Sequence, residues 1–365
     1  MTQALNYTPD ALASLIFQAQ SFDRMGARHS SQGMRHIAHY LARSQKFLLP
    51  DNGMLLDVEP ARINTEIPLE MVRPPYPVTS AEYRVPPEIG GVGKQGIASY
   101  ERIALILDLP PITDPSASQW PAPWMQALRE CDAPDFQSAS GVMGVISLYS
   151  LPRQEKGLTW HVGLGMAITP YTQEPAARPE GPEKRAMEEF RDQIQGTDQK
   201  TRYGGYRSMM VPLFPEMVGM FIAKHGPLHT TAMMRIDVSH ELLAALNLGI
   251  MLHCRNVATE TLSAPAALNK KRERTGKKPL YDYHILSVSP QSGSRNTPAE
   301  SGGNKRLEPR QHFRRGHIRH LGDGYSKPFT WVSPALVGNP ERGRIDKDYA
   351  INADGAASPE PGGPR

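Results

Sequence analysis

The stretch from Leu242 to Leu252 constrains this chain more than any other. Leu242, Leu243, Leu246, Leu248, Ile250, Met251 and Leu252 cover every side of a helix and leave no face for water. Such a helix has to be enclosed by protein, so the rest of the chain must supply layers around it. Asp237 and Ser239 are both good N-caps and set the expected start, with the helix running to about Val257. Within it, His253 and Cys254 read as core residues and not as ligands.

The enclosing layers are visible in outline. Thr8-Pro9-Asp10 reads as a helix start, with Thr8 as the cap and Pro9 in the first turn. Leu12, Leu15, Ile16 and Ala19 follow on one face, and Met34, Ile37, Leu41 and Leu48 mark a second helix, giving an α-hairpin over residues 1–50. His29, His36 and His39 lie there without a carboxylate or cysteine at ligand spacing, so they read as surface or interface residues. Extended runs at Arg102–Asp108, Val142–Tyr149 and Thr159–Ile168 predict an antiparallel sheet of at least three strands, the last two joined as a hairpin through Glu155–Gly157. Asp108, Tyr149, Trp160 and His161 are candidates to line a cleft, with core packing the simpler use of the two aromatics. Pro74, Pro75 and Pro77 place the 67–85 run at a sheet edge or in a leading loop. Residues 91–96 formally match GxGxxG, but they follow a Pro-rich loop and lead into a strand where a dinucleotide site needs a helix, so nucleotide binding is rejected. The Met-rich 203–236 segment suits an irregular core and receives no element assignment.

Composition adds limits. A chain of 365 residues with 39 % hydrophobic content, 34 Pro and 31 Gly predicts a core decorated with long irregular connections. Cys131 and Cys254 have no CxxC partner, which fits a reducing cytoplasm better than a disulfide scaffold. The first residues lack a basic, apolar leader, and no run of eighteen apolar residues predicts a membrane span. The fold class expected is α+β, with helical N-terminal elements, a central antiparallel sheet, a buried helix and a basic C-terminal β-module. Expected domains are a helical hairpin at 1–50, an α+β core at 51–262 with a linker near 171–200, the basic module at 263–352, and a frayed tail at 353–365.

Charge is distributed unevenly. Between Ala264 and His320 there are thirteen Lys/Arg and four acids, 13 − 4 = +9, so with a net charge of +4 the remainder carries 4 − 9 = −5. Two clusters dominate: Lys270, Lys271, Arg272 and Arg274 in a segment read as a basic loop (269–280), and Arg310, Arg314, Arg315, His317 and Arg319 in a stretch of strand period. Thr330–Val337, with Trp331 and Pro334, is placed to pair with that stretch across the Gly322–Pro328 loop. A metal site at His312, His317 and His320 lacks a completing ligand pattern, and no metal or cofactor is expected. A metal-independent ribonuclease would need a histidine base with cationic phosphate clamps, and the residue types are present. A binding surface asks least of the residues, because guanidinium forks grip phosphates, carboxylates or carbonyls without catalysis. An acidic partner such as RNA follows from the same charge asymmetry.

Arg314-Arg-Gly-His317, a spacer, and then Trp331-Val-Ser-Pro-Ala-Leu-Val-Gly-Asn339 resemble the C-terminal segment of phage and mobile-element proteins of the type V-A anti-CRISPR family. The specific match covers about forty residues, with the apolar helix and Asn269-Lys-Lys in the same order upstream. The resemblance implies a non-enzymatic inhibitor that recognises the nascent N-terminal peptide of a CRISPR effector nuclease on the ribosome, after which the encoding mRNA is lost. Arg314, Arg315, Gly316, His317, Trp331 and Pro334 carry over as motif positions. Ile318 departs from the pattern, where the family has an aromatic residue.

Overall fold

The computed structural model describes residues 5–53, 55, 72–85, 101–111, 113–130, 140–151, 160–171, 181–194, 208–289, 310–314, 317–322, 324–332, 335–337 and 339–345. Helices and strands are both substantial, as an α+β chain requires. Among the described residues the α-helices are α1 (Thr8–Arg24), α2 (Arg28–Arg43), α3 (Ala122–Arg129), α4 (Gly181–Ile194), α5 (Pro215–His225), α6 (Pro227–Leu252) and α7 (Ala266–Arg274). The main sheet contains β1 (Gln45–Leu48), β2 (Val78–Arg84), β3 (Glu101–Leu109), β4 (Val142–Ser150), β5 (Trp160–Pro170), β6 (Met209–Pro212), β7 (Val257–Leu262) and β8 (Tyr283–Val288), in the order β6-β5-β4-β3-β2-β1-β8-β7. It is mixed: β1 runs parallel to both β2 and β8, and every other neighbouring pair is antiparallel.

Alternation along β3 shows how the layers form. Ile103, Leu105, Leu107 and Leu109 pack under α1, α2 and α3, together with Leu12, Leu15, Ile37, Leu41 and Trp124. Ala104 and Ile106 face the other way, toward Val238, Ala244, Ala245 and Leu248 of α6. The sheet is therefore covered on both faces, and α6 is the buried helix of the second. It begins at Pro227 and not at Asp237, because Pro227 fits the first helical turn and Gly226, at φ +82°, breaks the chain between α5 and α6. It ends at Leu252, short of Val257, which opens β7. The previously unassigned 203–236 segment thus supplies β6, α5 and the first turns of α6.

Thr8 does not cap α1 with its own side chain. Glu82, on β2, accepts from the amides of Tyr7 (2.8 Å) and Thr8 (3.0 Å) and from the Thr8 hydroxyl (2.6 Å). The start of α2 repeats the device: Glu216 of α5 accepts from the amides of His29 and Ser30, both at 3.0 Å. Each carboxylate satisfies orphan donors at a helix end and complements its dipole. The predicted hairpin of β4 and β5 is present. Pro74, Pro75 and Pro77 precede β2, which lies inside the sheet and not at its edge.

Other expectations need revision. The supposed basic loop contains α7, whose Ala, Leu, Lys and Arg are good helix formers. The boundary expected near 262 falls between β7 and β8, which pair over six residues each, so 283–288 belongs to the main sheet. Gln45–Leu48 of the 1–50 hairpin is likewise a sheet strand. The 91–96 glycines and the 353–365 tail lie outside the described residues, as does most of the 171–200 linker apart from α4.

Candidate functional site

The C-terminal stretch divides into β9 (Arg310–Arg314) and β10 (His317–His320), which join different small sheets. β10 pairs antiparallel with β11 (Phe329–Val332), setting Ile318 opposite Trp331. β9 pairs antiparallel with β12 (Ala335–Val337), setting Arg314 opposite Ala335, and parallel with β13 (Asn339–Ile345). The two halves of the motif are therefore hydrogen-bonded partners, as the expected pairing across the Gly322–Pro328 loop requires.

Asn256 fastens the β10–β11 pair to the end of α6. Its Oδ1 accepts from the Trp331 amide (2.9 Å) and the Thr330 hydroxyl (3.0 Å), while its Nδ2 donates to the Trp331 carbonyl (2.9 Å). The Arg255 amide donates to Phe329 O at 2.8 Å, and Lys327 Nζ donates to the Leu252 carbonyl at the helix C-terminus. Trp331 is 8 % exposed and packs with Cys254, Val257 and Phe329, so its bulk serves the core rather than a free binding surface. Arg310, Arg314 and His317 are placed by their strands, Arg319 is exposed, and Arg315 and Pro334 lie outside the described residues.

On α7, Lys270, Lys271 and Arg274 are exposed, whereas Arg272 Nε donates to Lys278 O at 2.8 Å and closes the turn after the helix. The α7 turn joins β7 and β8 at the Leu262–Tyr283 end of their ribbon. Asn256 and β11 sit at the Val257–Val288 end. Six residues of strand, about 20 Å, separate α7 from the end at which β11 and its partner β10 are held. The α7 cations and Arg319 of β10, grouped in the sequence, are thus set toward opposite ends of one ribbon.

A second charged region, beneath the first half of α6, was not assembled from the sequence. Registers place Tyr83, Arg102, Tyr149 and His161 in one row across β2, β3, β4 and β5. Arg102 Nη1 donates to Glu241 Oε1 at 3.1 Å, and the Tyr83 hydroxyl donates to the same oxygen at 3.3 Å. Glu241 is wholly buried, yet its Oε2 has no hydrogen-bond partner, and neither does Arg102 Nε. The Arg102 guanidinium lies over the Tyr149 ring at 5.3 Å, and Tyr149 stacks on His161 with centroids 6.0 Å apart. One turn before Glu241, Asp237 comes down on β5 at Gly163: a Cβ placed on that glycine would sit 2.5 Å from Asp237 Oδ2.

This environment shifts Asp237, Tyr149, His161 and His240 away from water-like behaviour. Burial pushes the Asp237 carboxyl up to about 7, reinforced by Glu241 and opposed by Arg102. The charge of Asp237, and then burial, raises the Tyr149 phenol. Burial and the neighbouring Arg102 lower His240, and burial lowers His161. Clusters of buried, mutually perturbed ionisable groups mark functional sites more often than they mark inert cores. Of the four residues expected to line a cleft, the structure brings Tyr149 and His161 together here. Trp160 packs in the core on the opposite face, and Asp108 joins Arg73 (3.5 Å) and Tyr171 (3.0 Å) elsewhere. The signal available in the sequence was two carboxylates four residues apart, Asp237 and Glu241, leading into a helix with no solvent face.

Among the described residues no group of three or more His, Cys, Asp and Glu side chains is arranged to hold a metal ion, and no helix is long and apolar enough to cross a membrane. Scans against protein-family models, curated proteins and solved structures return no match to this chain.

Proposed function

We propose that this protein is a non-enzymatic binding protein of the type V-A anti-CRISPR kind. It works in the cytoplasm of a bacterial host, where it lowers production of a CRISPR effector nuclease by gripping the nascent polypeptide, its mRNA, or both. One observation carries the reading. The strands that carry the residues resembling that family's C-terminal motif pair across its two halves, Ile318 opposite Trp331 in one small sheet and Arg314 opposite Ala335 in another, and Asn256 ties the first of these sheets to the end of α6. A strand pair held against a buried helix is a rigid support, and rigid supports bind at lower entropic cost. Arginine forks at 310, 314, 315 and 319 suit backbone carbonyls and phosphates alike.

Affinity capture from translating cells tests the proposal. The wild-type chain should retain ribosome–nascent-chain complexes or their mRNA, and Arg314→Ala/Arg315→Ala should lose them while remaining folded. Undiminished capture by the double variant removes these arginines from the account. Incubation of the purified protein with labelled RNA in EDTA separates binding from catalysis: cleavage abolished by His317→Ala would replace the binding reading with a metal-independent ribonuclease.

A further inference from the structure

Among the described residues, the row of side chains beneath α6 holds one more carboxylate than cation. Arg102 and Glu241 neutralise one another, leaving Asp237 as the surplus. No hydrogen bond reaches the Asp237 carboxylate from any described residue, although its surroundings are largely dry. Three further polar atoms there are stranded, the donor Arg102 Nε among them. Glu241 Oε2 is wholly buried and unpartnered, and so is the hydroxyl of Ser147. The Ser147 Cβ lies 3.5 Å from the same point above Gly163 that Asp237 Oδ2 approaches to 2.5 Å. Unpaired buried polar atoms are costly, the more so when charged, and native proteins seldom carry several in one place without a ligand or water to satisfy them.

The ligand class follows from what is missing. One buried carboxylate oxygen and one buried hydroxyl lack partners, the described residues there carry one more carboxylate than cation, and the sheet side offers the stacked rings of Tyr149 and His161. We propose that Asp237, Glu241 and Ser147 form a binding site for a primary ammonium group on a slim aliphatic stem, entering at the partly accessible Asp237. An ammonium is a compact charge with three N–H donors, so it can satisfy Asp237, Glu241 and the Ser147 hydroxyl together. The edges of the adjoining rings, whose faces Arg102 and the Tyr149–His161 stack occupy, can pack against its methylenes. A carboxylate or phosphate ligand is excluded by the surplus negative charge. Gly163 is the residue that permits the site, because any side chain there would occupy the position of the Asp237 carboxylate. The inference is independent of the C-terminal platform, and its failure would leave that reading intact.

The test uses the full chain with methylammonium and 1,4-diaminobutane as probes, and tetramethylammonium, which has the charge but no N–H, as the control. Thermal melting and calorimetric titration at about pH 8 should show saturable binding of the first two and none of the third. Asp237→Asn should weaken binding at least about tenfold and Ser147→Ala by a smaller factor, each loss being read as an apparent Kd. Binding should also weaken as pH falls through about 7, where Asp237 takes up a proton. The other groups facing it are Tyr83, Arg102, Tyr149, His161, His240 and Glu241. None of them gains negative charge over that interval, so none offsets the loss. Ser147→Ala keeps the test decisive if Asp237→Asn alters folding. Absence of saturable amine binding to the wild type, equal binding of tetramethylammonium, or unchanged affinity in both variants overturns the proposal.

Discussion

Two charged regions of this protein were built on opposite principles. The C-terminal platform gathers its cations from consecutive residues, and the cations that are described on α7 and β10 mostly reach water. The row beneath α6 gathers Tyr83, Arg102, Tyr149, His161, Asp237 and Glu241 from five elements, with Tyr83 and Glu241 158 residues apart in the chain. Solvated charges cost little and contribute little to stability. Buried ones must be paired, and losing one partner is expensive. The difference teaches that a high local density of charge in a sequence marks a surface. Charges interspersed in apolar elements mark a site whose members only the fold can assemble.

The largest effect should come from Arg102→Ala, which leaves two carboxylates in a dry setting without their cation. We expect a loss of about 3–5 kcal/mol in denaturant unfolding, and a smaller loss for Glu241→Ala, because Asp237 then remains as counter-ion to Arg102. A larger loss for the glutamate variant would mean that Asp237 is protonated and contributes no charge. Gly163→Ala comes next, at about 1–3 kcal/mol, since its methyl group would displace the Asp237 carboxylate from the sheet.

Asp237→Asn should have an effect whose sign depends on pH. The folded carboxyl titrates near 7, whereas an unfolded aspartate titrates near about 3.9. The folded state therefore holds its proton more tightly, and the wild type loses stability as pH rises between those values. The asparagine variant lacks that loss. Compared with wild type, its thermal melting should gain between about pH 5 and pH 8, and a parallel pH dependence of the two proteins would contradict the assigned environment. The smallest effect is expected on α7: Lys270→Ala/Lys271→Ala should change stability by less than about 0.5 kcal/mol, because both side chains are exposed.

Much of the architecture was legible in the residues themselves. The β4–β5 hairpin, β3, the two N-terminal helices and the apolar half of α6 all follow from period and turn chemistry. The first ten residues of α6 were missed because Thr230, Met233 and Met234 show no clear stripe, although Pro227 after Gly226 was a usable start signal. α7 resembles a basic loop in sequence because its run of like charges masks the helix propensity of its Ala, Leu, Lys and Arg residues. The caps from Glu82 and Glu216 were not legible, since each lies far along the chain from the helix it completes. At the site level, the motif strands were anticipated, but the burial of Trp331 was not: an aromatic beside arginines looks like a contact residue until Cys254 and Val257 are seen beneath it. Tyr149 and His161 were marked as cleft residues, whereas Arg102, Asp237 and Glu241 were not, because pairing across elements has no local signature.

The central claim is a division of labour, with the macromolecular partner gripped by the C-terminal platform and not by the row beneath α6. Quantitative capture of ribosome–nascent-chain complexes or mRNA from translating cells, run in parallel on Arg310→Ala/Arg314→Ala/Arg319→Ala and on Asp237→Asn, tests it most directly. The account predicts at least about a tenfold loss of capture for the arginine variant and wild-type capture for the asparagine variant. Retained capture by the arginine variant, or loss confined to Asp237→Asn, would contradict it.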